Sequence, residues 1–279
     1  MKIFTTTEAL RQHLSQTRAL NKTVGLVPTM GALHDGHLSL IKKAQLTNNE
    51  VICSIFVNPT QFNDPKDLEK YPRTIAADIK MLEQVKCDVL FNPNVKEIYD
   101  TNEQWHLAVG QLEGLLEGKF RPGHYQGVMQ VVYKFFALIK PDTAFFGQKD
   151  YQQFLIISKM VELMNLPVKL VMCPIARDPD GLAMSSRNIH LTTDDRQHAL
   201  VLSKTLNWVN NNFAADHITR LKSDAELMVN KEPGVKLEYF EMADGNTLQP
   251  ATEHTKKIVA LVAAWVGKTR LIDNVVLSR

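Results

Sequence analysis

Hydrophobic positions along the chain follow two spacings. Short apolar runs stand at 24–27, 51–57, 88–91, 143–146 and 168–173, most of them followed by glycine, proline or asparagine. Runs of this length bounded by turn residues read as buried strands. Between them, apolar residues recur three and four apart: Leu38, Ile41 and Ala44 beside Leu40, then Ile75, Ile79, Leu82 and Val85, then Val128, Val132, Phe135 and Ile139, then a stretch over 154–164. That spacing lays one apolar stripe along each helix. Strands alternating with helices predict a parallel sheet covered on its faces, in which ligands gather at the carboxyl ends of the strands.

The pattern changes beyond residue 173. A turn-rich segment at 176–181 predicts a domain boundary, which divides the chain into a larger α/β domain over 1–176 and a smaller α/β domain over 177–279. Thr192 with Asp195 has the spacing of a helix N-cap, so a helix is expected to about residue 211. A second helical pattern covers 216–229, and 235–242 and 258–266 read as strands.

Composition narrows the class. A chain of 279 residues can bury a substantial core, and 44% hydrophobic with 22% charged residues is ordinary for a protein folded throughout. The net charge of +2 gives no basic footprint for nucleic acid, and a small anionic substrate fits better. Cys53, Cys87 and Cys173 are widely spaced with no Cys-x-x-Cys pair, so they read as buried apolar residues of a reduced, cytoplasmic protein. The first ten residues lack a signal-peptide core, and the longest apolar run, 258–266, is too short to span a bilayer. Gly267-Lys268-Thr269 is not a P-loop, because position 262 is valine, and no Gly-x-Gly-x-x-Gly occurs.

The chemistry concentrates in a few loops. Pro28-Thr29-Met30-Gly31-Ala32-Leu33-His34-Asp35-Gly36-His37 turns a buried strand through glycines into a helix, and such a helix start offers unpaired N–H groups and partial positive charge to a polyphosphate. His34 and His37 share one face of that start. By themselves they fit helix caps, zinc ligands or donors to a bound anion. Gln61 follows the second strand in Asn58-Pro59-Thr60-Gln61-Phe62. Gly118-Lys119-Phe120-Arg121-Pro122-Gly123-His124-Tyr125 reads as a loop with three potential cations. Gly147-Gln148-Lys149-Asp150-Tyr151-Gln152-Gln153 repeats the opening geometry, with an ammonium just past a strand end. Met184-Ser185-Ser186-Arg187-Asn188 sets two hydroxyls beside a guanidinium, donors suited to phosphate oxygens.

His-x-Gly-His after a strand resembles the nucleotidylyltransferase superfamily, and Met30-Gly31-Ala32-Leu33-His34-x-Gly36-His37 resembles the pantothenate synthetase family. The resemblance extends through Phe56-Val57-Asn58-Pro59-x-Gln61-Phe62, Tyr71-Pro72-Arg73, Arg121-Pro122-Gly123-His124, the Gly147 and Met184 segments and Lys268-Thr269-Arg270-Leu271-Ile272-Asp273. It implies a Rossmann-like ATP domain, a smaller C-terminal lid domain, a homodimer and a requirement for Mg²⁺, with no protein ligand assigned to the metal. It further implies condensation of (R)-pantoate with β-alanine and ATP to give pantothenate, a precursor of coenzyme A, with AMP and diphosphate, and no nucleic-acid or membrane partner. By the same resemblance, Met30 to His37, Gly147, Gln148, Lys149, Asp150, Ala176, Met184, Ser185, Ser186 and Arg187 hold ATP. His37 with His34 neutralises the leaving diphosphate, Lys149 the α-phosphate, and Ser185, Ser186 and Arg187 the outer phosphates. Gln61, Gln153 and Arg121 hold pantoate and β-alanine. Another nucleotidylyltransferase, an RNA-binding module and a zinc domain are the competing readings.

Overall fold

A computed structural model describes residues 1–99, 103–214 and 217–277. In chain order the elements are β1 (Lys2–Phe4), α1 (Thr7–Ala19), β2 (Val24–Thr29), α2 (Asp35–Gln45), β3 (Glu50–Ile55), α3 (Pro65–Lys70), α4 (Ile75–Gln84), β4 (Val89–Phe91), α5 (Val95–Ile98), α6 (Leu116–Phe120), α7 (His124–Ile139), β5 (Thr143–Gly147), α8 (Tyr151–Leu163) and β6 (Lys169–Cys173). Then follow α9 (Thr193–Asn211), α10 (Ile218–Asn230), β7 (Val235–Asp244), β8 (Ile258–Val266) and β9 (Thr269–Leu277). Residue 216, where the second C-terminal helical pattern begins, lies outside the described residues.

The first six strands form one parallel sheet in the order β1-β4-β3-β2-β5-β6. Successive side chains of a strand face opposite sides. Accordingly Leu26, Ile52, Ala144 and Phe146 pack with Leu10 and Leu14 of α1, Val128 and Phe135 of α7 and Ile156 of α8, while Val27, Cys53 and Phe145 pack with Leu38 and Ile41 of α2 and Leu82 of α4. A sheet buried on both sides explains why its strands read as continuous rather than alternating apolar runs.

Strand order reverses direction between β2 and β5, which is the place where doubly wound sheets open a ligand crevice. Here the ladder between the two strands covers only Gly25↔Thr143 and Leu26↔Ala144, whereas β2 stays paired with β3 through Thr29↔Ile55. Proline is disfavoured in a central strand because it cannot donate to the ladder. Pro28 is tolerated because β5 has parted from β2 two residues earlier. The His34 turn leaves one of these strand ends and Gly147 closes the other.

The remaining elements build a second compact unit, an antiparallel sheet β7-β8-β9 with α9 and α10 on one face. Alternate residues of β8, from Ile258 through Ala260, Val262 and Ala264 to Val266, meet the helices. Thr192 and Asp195 form the expected capping box of α9. The chain passes between units more than once: the first comprises Met1–Gly147 and Gln152–Pro174, and the second takes Gln148–Tyr151 together with the residues from Ile175 onward.

The sequence reading lacks β1, α1, α3 and α5, and other elements depart from it. The segment expected as a loop around Gly118 contains α6, α8 begins at Tyr151 rather than residue 154, and β9 was not visible in the hydrophobic pattern. All three cysteines are buried. Burial pushes the Cys53 thiol well above its ordinary range, Cys87 up to about 11 and Cys173 upward, so each serves as a small apolar residue. Among the described residues, no helix is long and apolar enough to cross a membrane.

Candidate active site

The turn after β2 is held by a carboxylate that the sequence did not single out. Gly31 and Ala32 both adopt left-handed φ, +83° and +49°. A Cβ on Gly31 would lie 3.0 Å from Ile55 Cγ2 and 3.1 Å from Asp78 Oδ2, so glycine is needed for space as well as conformation. Asp78 of α4 is 1% exposed and accepts from the Ala32 N–H at 3.1 Å, the Leu33 N–H at 2.9 Å and the Thr74 hydroxyl at 3.1 Å. The Ala32 and Leu33 amides, ahead of the start of α2, therefore serve Asp78.

The helix start that follows is capped by both histidines. His34 is the N-cap of α2, with Nδ1 accepting from the Gly36 N–H at 3.2 Å, and the His34 N–H donates to His37 Nδ1 at 3.3 Å. The rings lie 4.0 Å apart. An Nδ1 that accepts from a backbone amide leaves the proton of the neutral imidazole on Nε2. Capping and donation to a ligand are therefore compatible on the same ring, one per nitrogen. Among the described residues, no group of three or more His, Cys, Asp or Glu is placed to hold a metal ion.

Gln61 sits in the 3₁₀ turn Pro59–Gln61 beyond β3 and is 8% exposed. Asn58 Nδ2 donates to Gln61 Oε1 at 3.1 Å and to the Gly127 carbonyl at 3.0 Å, while Gln61 Nε2 lies 2.9 Å from Met30 Sδ. Asn58 Oδ1 in turn accepts from the Tyr99 hydroxyl at 2.7 Å. Burial pushes the Tyr99 hydroxyl up to about 12, so it remains a donor and fixes which way the Asn58 amide faces. Gly127 of α7 is obligatory for this packing, since a Cβ there would come within 2.4 Å of the Thr60 carbonyl oxygen. His124 donates from Nδ1 to the Gln61 carbonyl at 2.8 Å, and Arg121 Nη1 donates to its Nε2 at 3.2 Å. Arg121 therefore reaches the Gln61 turn through His124. Arg73, from the family-like Tyr71-Pro72-Arg73, is structural: its guanidinium donates to the carbonyls of Leu68, Glu69 and Tyr71 at the end of α3. Gln153 is half-buried on the first turn of α8.

In the second unit, Asn274 fixes the Gln148–Lys149 turn, and Asp273 takes both guanidinium nitrogens of Arg177 at 2.7 and 3.0 Å. Arg177 opens a turn in which the Ala176 carbonyl accepts from the Met184 N–H at 3.0 Å. Arg196 binds Asp178 and Asp180; burial opposes the Asp180 charge, but the Leu182 N–H and Arg196 outweigh it and hold the carboxyl below its usual range. The Ser185 hydroxyl caps the 3₁₀ turn Ser186–His190 by accepting from the Arg187 N–H at 3.2 Å. Among the described residues, no carboxylate pairs with the side chain of Lys149 or Arg187, whereas Arg177 and Arg196 are saturated by aspartates.

The sequence-predicted residues thus divide between units: Met30 to His37, Gln61, Arg121, Gly147 and Gln153 lie in the first, and Gln148, Lys149, Asp150, Ala176, Met184, Ser185, Ser186 and Arg187 in the second. Asp78, Gly127, Tyr99 and Asn274 were missed. None belongs to a loop motif, and each acts through a backbone or amide contact.

Residues 2–276 match the family model of the pantoate-beta-alanine ligases. The pantothenate synthetase of Thermotoga neapolitana is 44% identical over 281 residues, with both chains covered completely, and that of Bacteroides thetaiotaomicron is 45% identical over 278 residues, covering 99% of this chain and 98% of the relative. Among solved structures, pantothenate synthetase from Thermus thermophilus superposes with a TM-score of 0.92 at 36% identity, covering 99% of each chain. The pantoate-beta-alanine ligase from Francisella tularensis, complexed with beta-gamma ATP and beta-alanine, gives 0.80 at 38% identity, covering 99% of this chain and 97% of that one.

Proposed function

The chain belongs to the pantoate-beta-alanine ligase family, and from that premise we propose that it is a ligase joining pantoate to β-alanine with ATP by way of an enzyme-bound pantoyl adenylate. The observation that carries this reading is the match of nearly the whole chain to the family. The contrast between its cations supports it: Arg177 and Arg196 are paired with aspartates, while among the described residues no carboxylate pairs with Lys149 or Arg187.

The pantoate carboxylate attacks the α-phosphorus of ATP, and the bond to diphosphate breaks. A carboxylate needs no general base for this step, so the protein's task is positioning and neutralisation of charge. Lys149 meets the α-phosphate, the Nε2–H of His37 and of His34 meets charge developing on the diphosphate, and Ser185, Ser186 and Arg187 meet the outer phosphates. Met30, Gly31, Asp35 and Gly36 with the rest of their turn, Gly147, Gln148, Asp150 and Met184 line the nucleotide. The Ala176 backbone, whose carbonyl also accepts from the Met184 N–H, reads adenine. β-Alanine then attacks the acyl carbon through its amine, and AMP leaves. No enzyme nucleophile is required, consistent with three buried, high-pKa thiols.

Mg²⁺ fits this site as a companion of ATP. It keeps much of its water and binds chiefly through substrate phosphates. When bound it neutralises phosphate charge. A cytoplasmic homodimer belongs to the same reading on family grounds.

Gln61 and Gln153 hold pantoate, since an amide can donate to its carboxylate and accept from its hydroxyls. Arg121 adds charge to that pocket through His124. Changing either glutamine to glutamate removes donors and adds a like charge, so KM for pantoate rises at least ~10-fold while KM for ATP stays within about a factor of two. Equal rises in both would defeat the assignment. Gly147 supplies a separate check: a Cβ there meets no protein atom within 4 Å, and its φ is ordinary. Gly147→Ala should therefore melt like the parent yet raise KM for ATP, and an unchanged KM would remove Gly147 from the nucleotide site.

Mass spectrometry of the products tests the function as a whole. Pantothenate with AMP is expected from ATP, pantoate and β-alanine; AMP transfer to another acceptor, or no reaction, would replace the reading.

A further inference from the structure

The family-like run Lys268-Thr269-Arg270-Leu271-Ile272-Asp273 and the asparagine after it have no role in the chemistry above, although Asp273 and Asn274 are 4% and 2% exposed. Buried polar side chains in a strand need partners, and theirs are specific. Asn274 Nδ2 donates to the carbonyls of Gln148 and Lys149, both at 3.0 Å, and its Oδ1 accepts from Gln148 Nε2 at 3.1 Å. Both donors and one acceptor position of a single amide are thereby spent on a two-residue turn more than a hundred positions away. Its backbone N–H donates to Asp273 Oδ1 at 2.8 Å, and Asp273 grips Arg177.

A lysine side chain is a flexible four-carbon stem, so the place of its ammonium depends on where its backbone is fixed. The turn Gln148–Asp150 is a single 3₁₀ turn with little to stiffen it alone. Tyr151 anchors its far end, donating through its hydroxyl to the Gly245 carbonyl at 2.8 Å. We propose that Asn274 is a positioning residue for the adenylation step: it holds the Gln148–Lys149 backbone so that the Lys149 ammonium meets the α-phosphate. The proposal rests on the assignment of Lys149 to that phosphate.

A residue acting through Lys149 should lose its effect when Lys149 is gone. Pantoate-dependent exchange of labelled diphosphate into ATP isolates adenylation, and it is measured for Asn274→Ala, Lys149→Ala and the double variant. Asn274→Ala keeps its backbone N–H, so the bond to Asp273 survives. Misplacing a positioned group by about an ångström costs on the order of 10²-fold. We expect Asn274→Ala to slow exchange ~10- to 100-fold with KM for pantoate unchanged, and to slow it less than about 3-fold further in the Lys149→Ala background. Asn274→Asp, which fills the same volume but turns an oxygen toward both carbonyls, is run through the same cycle should the alanine variant not fold. Full multiplication of the two losses, or normal exchange in a folded Asn274 variant, overturns the positioning role alone. Normal exchange in Lys149→Ala overturns the reading of Lys149, and the proposal with it.

Discussion

Replacing His37 by alanine lowers kcat by ~10²- to 10³-fold, the loss expected when one donor to developing charge is removed. The ring has two separable duties. Nδ1 accepts the His34 N–H and completes the capping box of α2, a contact that contributes about 1 kcal/mol. In the proposed reading, Nε2–H donates to the charge developing on the leaving diphosphate. His37→Glu separates them, because glutamate is a preferred residue at that capping position but offers no donor. It should melt at or above the temperature of His37→Ala and be at least as inactive. If His37→Ala turns over normally, or if its loss of activity tracks loss of fold, the catalytic duty is refuted.

Asp78→Asn is expected to be the most damaging conservative change in the first unit. The two carboxylate oxygens take separate backbone donors, Oδ2 from Ala32 and Oδ1 from Leu33, and Oδ1 also takes the Thr74 hydroxyl. An asparagine can accept on only one side. Its NH₂ then faces a backbone N–H inside a site with no exposure to compensate, at a cost of roughly 2–4 kcal/mol. The turn carrying Gly31 and Ala32 in left-handed conformation loses its clamp, so kcat falls as well. Denaturant unfolding with activity measured alongside checks both effects, and a variant as stable as the parent would show that another group holds the turn.

Asp78 also illustrates what the sequence conceals. The spacing of Ile75, Ile79, Leu82 and Val85 predicts α4 and most of its inner face: Leu82 is buried and Ile79 and Val85 pack against the same core, but Ile75 is 37% exposed and Asp78 is buried in the first turn. A carboxylate turned inward to satisfy loop amides is invisible to hydrophobic periodicity. The same limit hid α1, whose buried stripe of Leu10, His13, Leu14 and Thr17 is half polar because His13 and Thr17 both bond to Glu50. It hid β9, where Asp273 and Asn274 are buried by their partners rather than by apolarity. By contrast β2, α2 and α7 were legible, since apolar residues dominate their buried positions and their ends carry glycine or histidine signals.

The loops that carry the candidate chemistry were legible for a different reason. Glycines at turns, a lysine past a strand end and a Ser-Ser-Arg triplet keep their identity in the linear sequence. Residues that support them do not. Asn274 and Gly127 act on backbone atoms 126 and 66 positions away, Gln148 and Gln61 respectively, and nothing local marks them.

Oxygen-18 in the pantoate carboxylate tests the adenylate most directly. One labelled oxygen bridges to the α-phosphorus when the carboxylate attacks, and it stays with phosphorus when the β-alanine amine displaces AMP. The other remains in the amide of pantothenate. The account predicts AMP bearing one oxygen-18 from ATP, Mg²⁺, labelled pantoate and β-alanine. Release of ADP with labelled phosphate, or of AMP free of label, would contradict it.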